Sequence, residues 1–237
     1  KDYLFHGSFK RFLPNGKLIY EAYFKDKGLL DWSCSISEKG DTMQLIKILK
    51  NGNHYRMRVD PNNSLQKTIS DSNGEYIYKY ETYEDRQAKS LYDRSKGISK
   101  SWYKNGKLSS TDSTITFKSG DKQKQKVIRK YFYENGQLKN VSTKVDGKYE
   151  EKYLSYFENG QLEASSEYKN NLQHGEYIRY AENGDLMMKG KHVDGKKEGK
   201  WKIRREDKLE TEYYQNNQLQ LEAPSGLCEC QDTTNPL

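Results

Sequence analysis

Three cysteines and four histidines are the residues of this 237-residue chain that could hold a metal ion or act as nucleophiles. Two of the cysteines form the pair Cys228-Glu-Cys230, and the third is Cys34. A zinc site needs four ligands at suitable spacing, and an odd count with one close pair is not a disulfide framework. Redox or metal chemistry at Cys228 and Cys230 is therefore the less favoured interpretation, and neither a metal site nor a cofactor is predicted.

Signatures of catalysis are missing as well. The histidines are scattered, and His174 stands in a turn position where a structural role is expected. The chain has no Gly-x-Ser-x-Gly elbow, no phosphate-binding loop and no pair of carboxylates at a recognisable spacing. The sequence thus predicts a protein that is not an enzyme and has no catalytic residues.

Basic residues interleaved with aromatic ones could bind anions. The formal net charge is +7, and the excess is concentrated in two runs, Arg86 to Lys152 and Lys189 to Arg205. Such runs attract nucleic acid, anionic lipid, polysaccharide or an acidic protein. The favoured interpretation is plainer: the lysines keep an exposed sheet soluble and discourage pairing at its edges.

A 24-residue repeat positions these side chains. The segment Tyr133-Glu-Asn-Gly-Gln-Leu138 returns as Phe157-Glu-Asn-Gly-Gln-Leu162 and, in looser form, as Tyr180-Ala-Glu-Asn-Gly-Asp-Leu186. Asp-Gly or Asn-Asn pairs alternate with these Asn-Gly pairs. Both kinds suit two-residue hairpin loops, whose central positions need positive φ. The turn residues predicted in this way are Asn15, Gly16, Asn105, Gly106, Asn135, Gly136, Asp146, Gly147, Asn159, Gly160, Asn183, Gly184, Asp194 and Gly195.

The stretches between the turns have the length and the period of strands. They run for roughly 8 to 10 residues, and bulky residues alternate between two faces, as Tyr153 and Leu154 do. Apolar spacings of three and four, which a helix needs, are missing. The predicted fold is all-β: an elongated antiparallel β-hairpin repeat meander of roughly nine units of about 24 residues. We expect one domain over 1–222, with degenerate repeats over 1–96 and clear repeats over 97–217, followed by a C-terminal tail over 223–237.

The segment His174-Gly-Glu-Tyr-Ile-Arg-Tyr-Ala-Glu-Asn-Gly-Asp-Leu186 and its continuation from Gly190 to Trp201 resemble the MORN-repeat variant family. The family pattern runs as Gly, two aromatic positions, Asn-Gly, Leu, then Asp-Gly and His/Glu-Gly. The resemblance implies an elongated hairpin sheet and no catalytic residues to carry over. MORN proteins outside the variant family have a similar hairpin meander and act as scaffolds that bind proteins or the membrane skeleton. Members of the variant family are bacterial, and some carry an antitoxin-like label.

The predicted function is non-enzymatic binding or scaffolding, with one sheet face as the surface for another protein. Large aromatic and cationic side chains dominate such interfaces. The predicted binding residues are Trp102, Tyr131, Tyr153, Tyr177, Trp201, Lys126, Arg129, Lys130, Arg179 and Arg204. Each aromatic has a slightly favoured alternative role, which is to stack on its neighbours along the sheet.

Two other functions stay open at this stage. One is an antitoxin-like protein that neutralises a toxin, and the other is a binder of an anionic polymer or membrane surface through the basic runs. No transmembrane segment is predicted, since no stretch reaches about 18 apolar residues. The chain opens at Lys1, which fits a removed leader and favours a secreted, periplasmic or lipid-anchored location over a cytoplasmic one.

Overall fold

The structure is a computed structural model that describes residues 6–25 and 29–221. Within these ranges it consists of strands and turns, with no helix. Each strand pairs with its chain neighbour in antiparallel fashion wherever a register is defined, as in β-hairpins. The predicted all-β hairpin meander is confirmed. The predicted tail, 223–237, lies outside the described residues, as do Cys228 and Cys230.

The chain packs as two compact units, Lys1–Thr116 with Arg129–Gly136, and Phe117–Ile128 with Gln137–Leu237. Strands β10 and β11 contribute residues to both units. The strands up to this point are β1 (Gly7–Phe12), β2 (Leu18–Lys25), β3 (Leu29–Ile36), β4 (Thr42–Ile48), β5 (His54–Val59), β6 (Leu65–Ser70), β7 (Tyr76–Thr82), β8 (Ala88–Asp93), β9 (Ile98–Trp102), β10 (Leu108–Ser119) and β11 (Lys122–Phe132). The second unit continues with β12 (Leu138–Val145), β13 (Lys148–Tyr156), β14 (Leu162–Lys169), β15 (Leu172–Tyr180), β16 (Leu186–Val193), β17 (Lys196–Arg205), β18 (Lys208–Gln215) and β19 (Gln218–Gln220).

Two kinds of hairpin loop alternate in the second unit. At Asp146-Gly147 and Asp194-Gly195 both residues have positive φ, as expected for a two-residue loop. The Asn-Gly loops differ from the prediction, because only their glycine has positive φ. At Asn159 the side-chain oxygen instead accepts a hydrogen bond from Gln161 N at 2.9 Å. These loops have three residues with glycine in the left-handed position, since Phe157 N bonds Gln161 O across them.

The two-residue loops tie each hairpin to the one before it. Asp146 N donates to Gln125 O at 2.9 Å, and 24 residues later Asn170-Asn171 repeats the contact through Asn171 N and Tyr149 O at 3.0 Å. The side chain of Asn171 adds a bond, because its Oδ1 accepts from Tyr149 N at 2.7 Å. Neighbouring repeats are thus linked in series, the arrangement from which repeat proteins draw their stability.

A second repeated feature is a backbone position of positive φ inside the long strands. Glu151 (φ 64°), Gly175 (φ 123°) and Gly199 (φ 70°) stand 24 residues apart in β13, β15 and β17. The register of the adjoining ladders shifts near each of them, as at a β-bulge. Glycine takes this conformation at little cost, whereas Glu151 holds it with a side chain. The glycine at this position of the repeat pattern therefore allows the backbone to adopt the positive φ of the β-bulge.

At β17, burial is confined to one side of the sheet. In β17 the exposed Lys200 and Lys202 alternate with the buried Trp201 and Ile203. The buried polar residues of this unit are Ser142, Thr143, Ser166 and His192. Since side chains of a strand alternate between faces, the sheet has a covered face and an open face here.

Candidate binding surface

The covered face carries a row of side chains in which aromatic and small residues alternate across the strands. Tyr153 of β13 pairs with Ser166 of β14, which pairs with Tyr177 of β15, and Tyr177 pairs with Gly190 of β16. Trp201 of β17 lies against Gly190. We call these five residues the aromatic row. The small residues leave room for the rings on either side, so that rings on alternate strands can approach each other.

Trp201 is the most tightly held member of the aromatic row. Its exposed fraction is 0%, and its ring centroid lies 6.0 Å from that of Tyr177 and 6.2 Å from that of Tyr214. Its Nε1 has no hydrogen-bond partner among the described residues. A fully buried ring offers no surface to a partner. The structure therefore places Trp201 in the packing of the sheet, and its predicted role as a binding contact is corrected.

His192 packs against Trp201 at one end of the aromatic row. Its ring is edge-on to Trp201 with 4.9 Å between centroids, and Lys197 Nζ lies 4.7 Å from the Trp201 ring centroid. Burial, and then the charge of Lys197, lowers the pKa of His192 below its usual 6.5. The neutral imidazole is thus the form that this packing favours.

The other two predicted aromatics of the second unit are half-buried in the same row. Tyr153 lies 6.5 Å from Tyr168 between ring centroids, and burial raises its pKa above 10.0. Tyr177 contacts Trp201, as above, and His192 edge-on at 5.6 Å. The stacking alternative from the sequence describes both residues well.

The predicted aromatics of the first unit differ in exposure. Trp102 is half-buried at the end of β9, and its carbonyl oxygen accepts a hydrogen bond from Tyr83 Oη at 2.8 Å. Tyr131 is 40% exposed. Tyr131 thus keeps a sizeable free ring surface.

Three of the predicted cations already have partners within the chain. Lys126 Nζ lies 2.6 Å from Glu151 Oε1, and Arg204 Nε donates to Leu186 O at 3.0 Å. Arg129 Nε donates to Asp112 Oδ1 at 2.7 Å, with a second contact through the guanidinium. The hydrogen bond to Asp112 raises the pKa of Arg129. These three side chains therefore stabilise the folded chain through contacts that do not involve a ligand.

The remaining two predicted cations are exposed. Lys130 lies in β11, and Arg179 lies in β15 opposite Met188. Arg179 shares the covered face with Tyr177, since residues two apart in a strand point the same way. The predicted cations therefore do not gather into one site.

Four lysines that the sequence prediction did not single out gather on the open face. Lys189 and Lys191 of β16 and Lys200 and Lys202 of β17 are all exposed. We call them the lysine patch. They line an open depression of about 370 Å³ together with Glu176, Glu198 and two glycines. Lys189 and Lys202 face each other directly across the two strands.

Within 6–25 and 29–221, no group of three or more His, Cys, Asp or Glu side chains could hold a metal ion. His174 and Asp194 approach to 3.1 Å between Nδ1 and Oδ1, but this contact joins a loop to the preceding hairpin, as Asn171 does. The same ranges contain no helix with the length and apolar character needed to cross a membrane.

Comparison with known proteins points to one family. The sequence profile described as "MORN repeat variant" matches residues 5–26, 96–114, 127–143, 146–170 and 173–194. No curated protein matches the chain. Among solved structures, 41 chains match. One is "Crystal Structure of TcdB2-TccC3-TEV", with 10% identity over 90% of this chain and a TM-score of 0.24. The match spans 15% of that much longer chain, and a likeness this low supports no argument.

Proposed function

The chain carries five repeats of the MORN repeat variant family, and from this premise we propose that it is a non-catalytic protein that binds another protein through the open face of its second unit. MORN repeats are generally modules that bind proteins or membranes, and the MORN repeat family is non-catalytic. The finer statement, that the ligand is a protein and the surface is this face, is our proposal.

The alternation in β17 is the observation that carries the proposal. Trp201 and Ile203 are buried on the covered face, while Lys200 and Lys202, which alternate with them, are exposed on the other. The aromatic row packs on the covered face, and on the open face the paired backbone of the strands fixes the positions from which the side chains project. A rigid surface loses less conformational entropy on binding than a mobile one.

Affinity capture with two matched variants tests the proposal. Ser165 pairs with Leu154 and Ile178 and lies on the open face, whereas Ser155 pairs with Ala164 and lies on the covered face. Ser165→Trp adds a bulky obstacle to the proposed surface, and Ser155→Trp adds the same group on the opposite side. The immobilised full chain is exposed to an extract of the native organism, and captured proteins are quantified by mass spectrometry.

The expected result is a captured protein that Ser165→Trp loses and Ser155→Trp retains, at wild-type melting temperature for both variants. The opposite pattern would place the binding surface on the covered face. Failure of the wild-type chain to capture any protein would count against a protein ligand. The antitoxin-like alternative stays a prediction, and a toxin among the captured proteins would support it.

A further inference from the structure

The lysine patch concentrates positive charge where the fold does not require it. Lys189 and Lys202 are directly opposite each other, and like charges in this position destabilise a sheet. Lys189 also pairs with Ile178, and Lys202 with Thr211, so that neither has an acidic residue directly opposite it. Within residues 6–25 and 29–221, none of the four patch lysines forms an ion pair. This arrangement favours an external anion.

Two glutamates give the patch a pattern of charges. Lys191 lies between Glu176 on one neighbouring strand and Glu198 on the other. Glu198 is held in place, because its Oε2 accepts a hydrogen bond from Asn216 N at 2.9 Å. The unbalanced positive charge therefore belongs to Lys189, Lys200 and Lys202, with negative charge at the border of the depression.

We propose that the lysine patch binds an acidic segment of a protein in extended conformation. Alternate side chains of an extended segment are about 6.6–6.8 Å apart, which is also the spacing of Lys200 and Lys202 along β17. Carboxylates at alternate positions can thus meet successive lysines, while the residues between them point away. The inference rests on the proposed function and names the kind of partner surface that the open face selects.

The charge pattern favours this partner over a uniform polyanion. A nucleic acid carries one charge at every phosphate, and Glu176 and Glu198 would repel those that lie near them. A peptide can place a neutral or basic side chain beside Glu198 and keep its carboxylates on the lysines. Moreover, the four cations are lysines, which are point charges without the two-pronged geometry by which arginine recognises phosphate.

Fluorescence anisotropy with the purified full chain tests the proposal. The first probe is a short labelled peptide in which Glu alternates with Thr. The second has the same composition with the Glu residues in one block, and the third is labelled oligothymidylate of similar length. The patch variant is Lys189→Gln with Lys202→Gln. The control variant, Lys122→Gln with Lys169→Gln, removes the same charge from exposed positions elsewhere in the unit.

We expect the alternating peptide to bind the wild-type chain more tightly than either other probe. The patch variant should weaken this binding about fivefold, since each exposed charge pair contributes roughly 0.5 kcal/mol. The control variant should change it less than twofold.

Equal weakening in the two variants, or no binding of the alternating peptide, would overturn the proposal. Equal affinity for the blocked peptide would overturn the extended geometry. Tighter binding of oligothymidylate that the patch variant loses would assign the patch to nucleic acid instead. Because the titration needs no natural partner, a failed capture experiment counts against the proposed function without deciding this one.

Discussion

Replacing Gly190 with alanine places a methyl group inside the ring of Trp201. A Cβ built at this position would lie 2.1 Å from Cδ2 and 2.4 Å from Cε2 of the indole. Carbon atoms in contact are normally about 3.5–4.0 Å apart, so the ring would have to move by about 1.5 Å. Trp201 is fully buried and has His192, Tyr177 and Tyr214 around it. A shift of this size cannot occur without disturbing the aromatic row.

The expected loss follows from these contacts. Overfilling a packed site costs about 1–3 kcal/mol, and replacing Gly by Ala returns about 0.4–1 kcal/mol through the unfolded state. We therefore expect Gly190→Ala to lower the free energy of unfolding by about 1.3 kcal/mol. In a chain of this size such a loss lowers the melting temperature by about 3–5 °C. Urea and thermal unfolding followed by circular dichroism measure both quantities.

A double-mutant cycle isolates the cause. In a Trp201→Leu background, which is itself destabilised, the added methyl group meets a smaller side chain, and Gly190→Ala should cost little or even stabilise. The two substitutions should therefore couple by about 2 kcal/mol. Equal losses in the two backgrounds would refute the reasoning, because the need for glycine at 190 would then be independent of Trp201.

Three further predictions follow from the second unit. Glu151→Gly should stabilise it by about 0.3 kcal/mol in urea unfolding. Glycine relieves about 1–2 kcal/mol of left-handed strain, while it costs about 0.4–1 kcal/mol through the unfolded state and removes an ion pair with Lys126 worth less than about 1 kcal/mol. A loss of more than about 1 kcal/mol would show that the ion pair outweighs the strain. Because the pKa of His192 is lowered on folding, the unfolded chain binds the extra proton, and stability should fall as the pH drops below about 6.5. His192→Gln should reduce the dependence of stability on pH between about pH 7.5 and 5.5. An unchanged pH dependence, or the same reduction in His54→Gln, would show that His192 is not the group responsible. Asn217 has a φ of 71°, and its Oδ1 accepts a hydrogen bond from Lys197 N at 2.5 Å. Asn217→Gly keeps this backbone conformation accessible but removes the hydrogen bond. We expect about 1 kcal/mol of lost stability and faster amide exchange at Lys197, with no such change in Asn216→Gly.

The sequence was sufficient for the hairpin meander because its signals are local. The Asp-Gly pairs at 146 and 194 specify a loop of positive φ by themselves, and they recur with the period of the repeat. The Asn-Gly pairs predict the positions of their loops correctly but not the loop length. The dipeptide does not fix loop length, and the side chain of Asn159 satisfies the backbone of Gln161 in the longer form.

The binding surface was harder to predict, because both faces of each strand carry bulky residues. The alternation in β17 shows that Trp201 and Lys202 point in opposite directions, but not which side is covered. Ser166 and Gly190, 24 residues apart, were the overlooked signal: small residues opposite aromatic ones indicate rings packed over the sheet. The pairing of Lys189 with Lys202 depends on the irregular register beside Gly199, which the repeat period does not specify.

The division between a covered aromatic row and an open lysine patch is the claim on which the functional proposals depend. Fluorescence quenching by acrylamide tests it most directly, in a variant that keeps Trp201 as the sole tryptophan through Trp32→Phe and Trp102→Phe. We expect the folded chain to resist quenching strongly, and the unfolded chain in urea to lose this protection. Quenching of the folded chain as efficient as that of the unfolded one would show that Trp201 lies on the surface, which contradicts the assignment of the two faces.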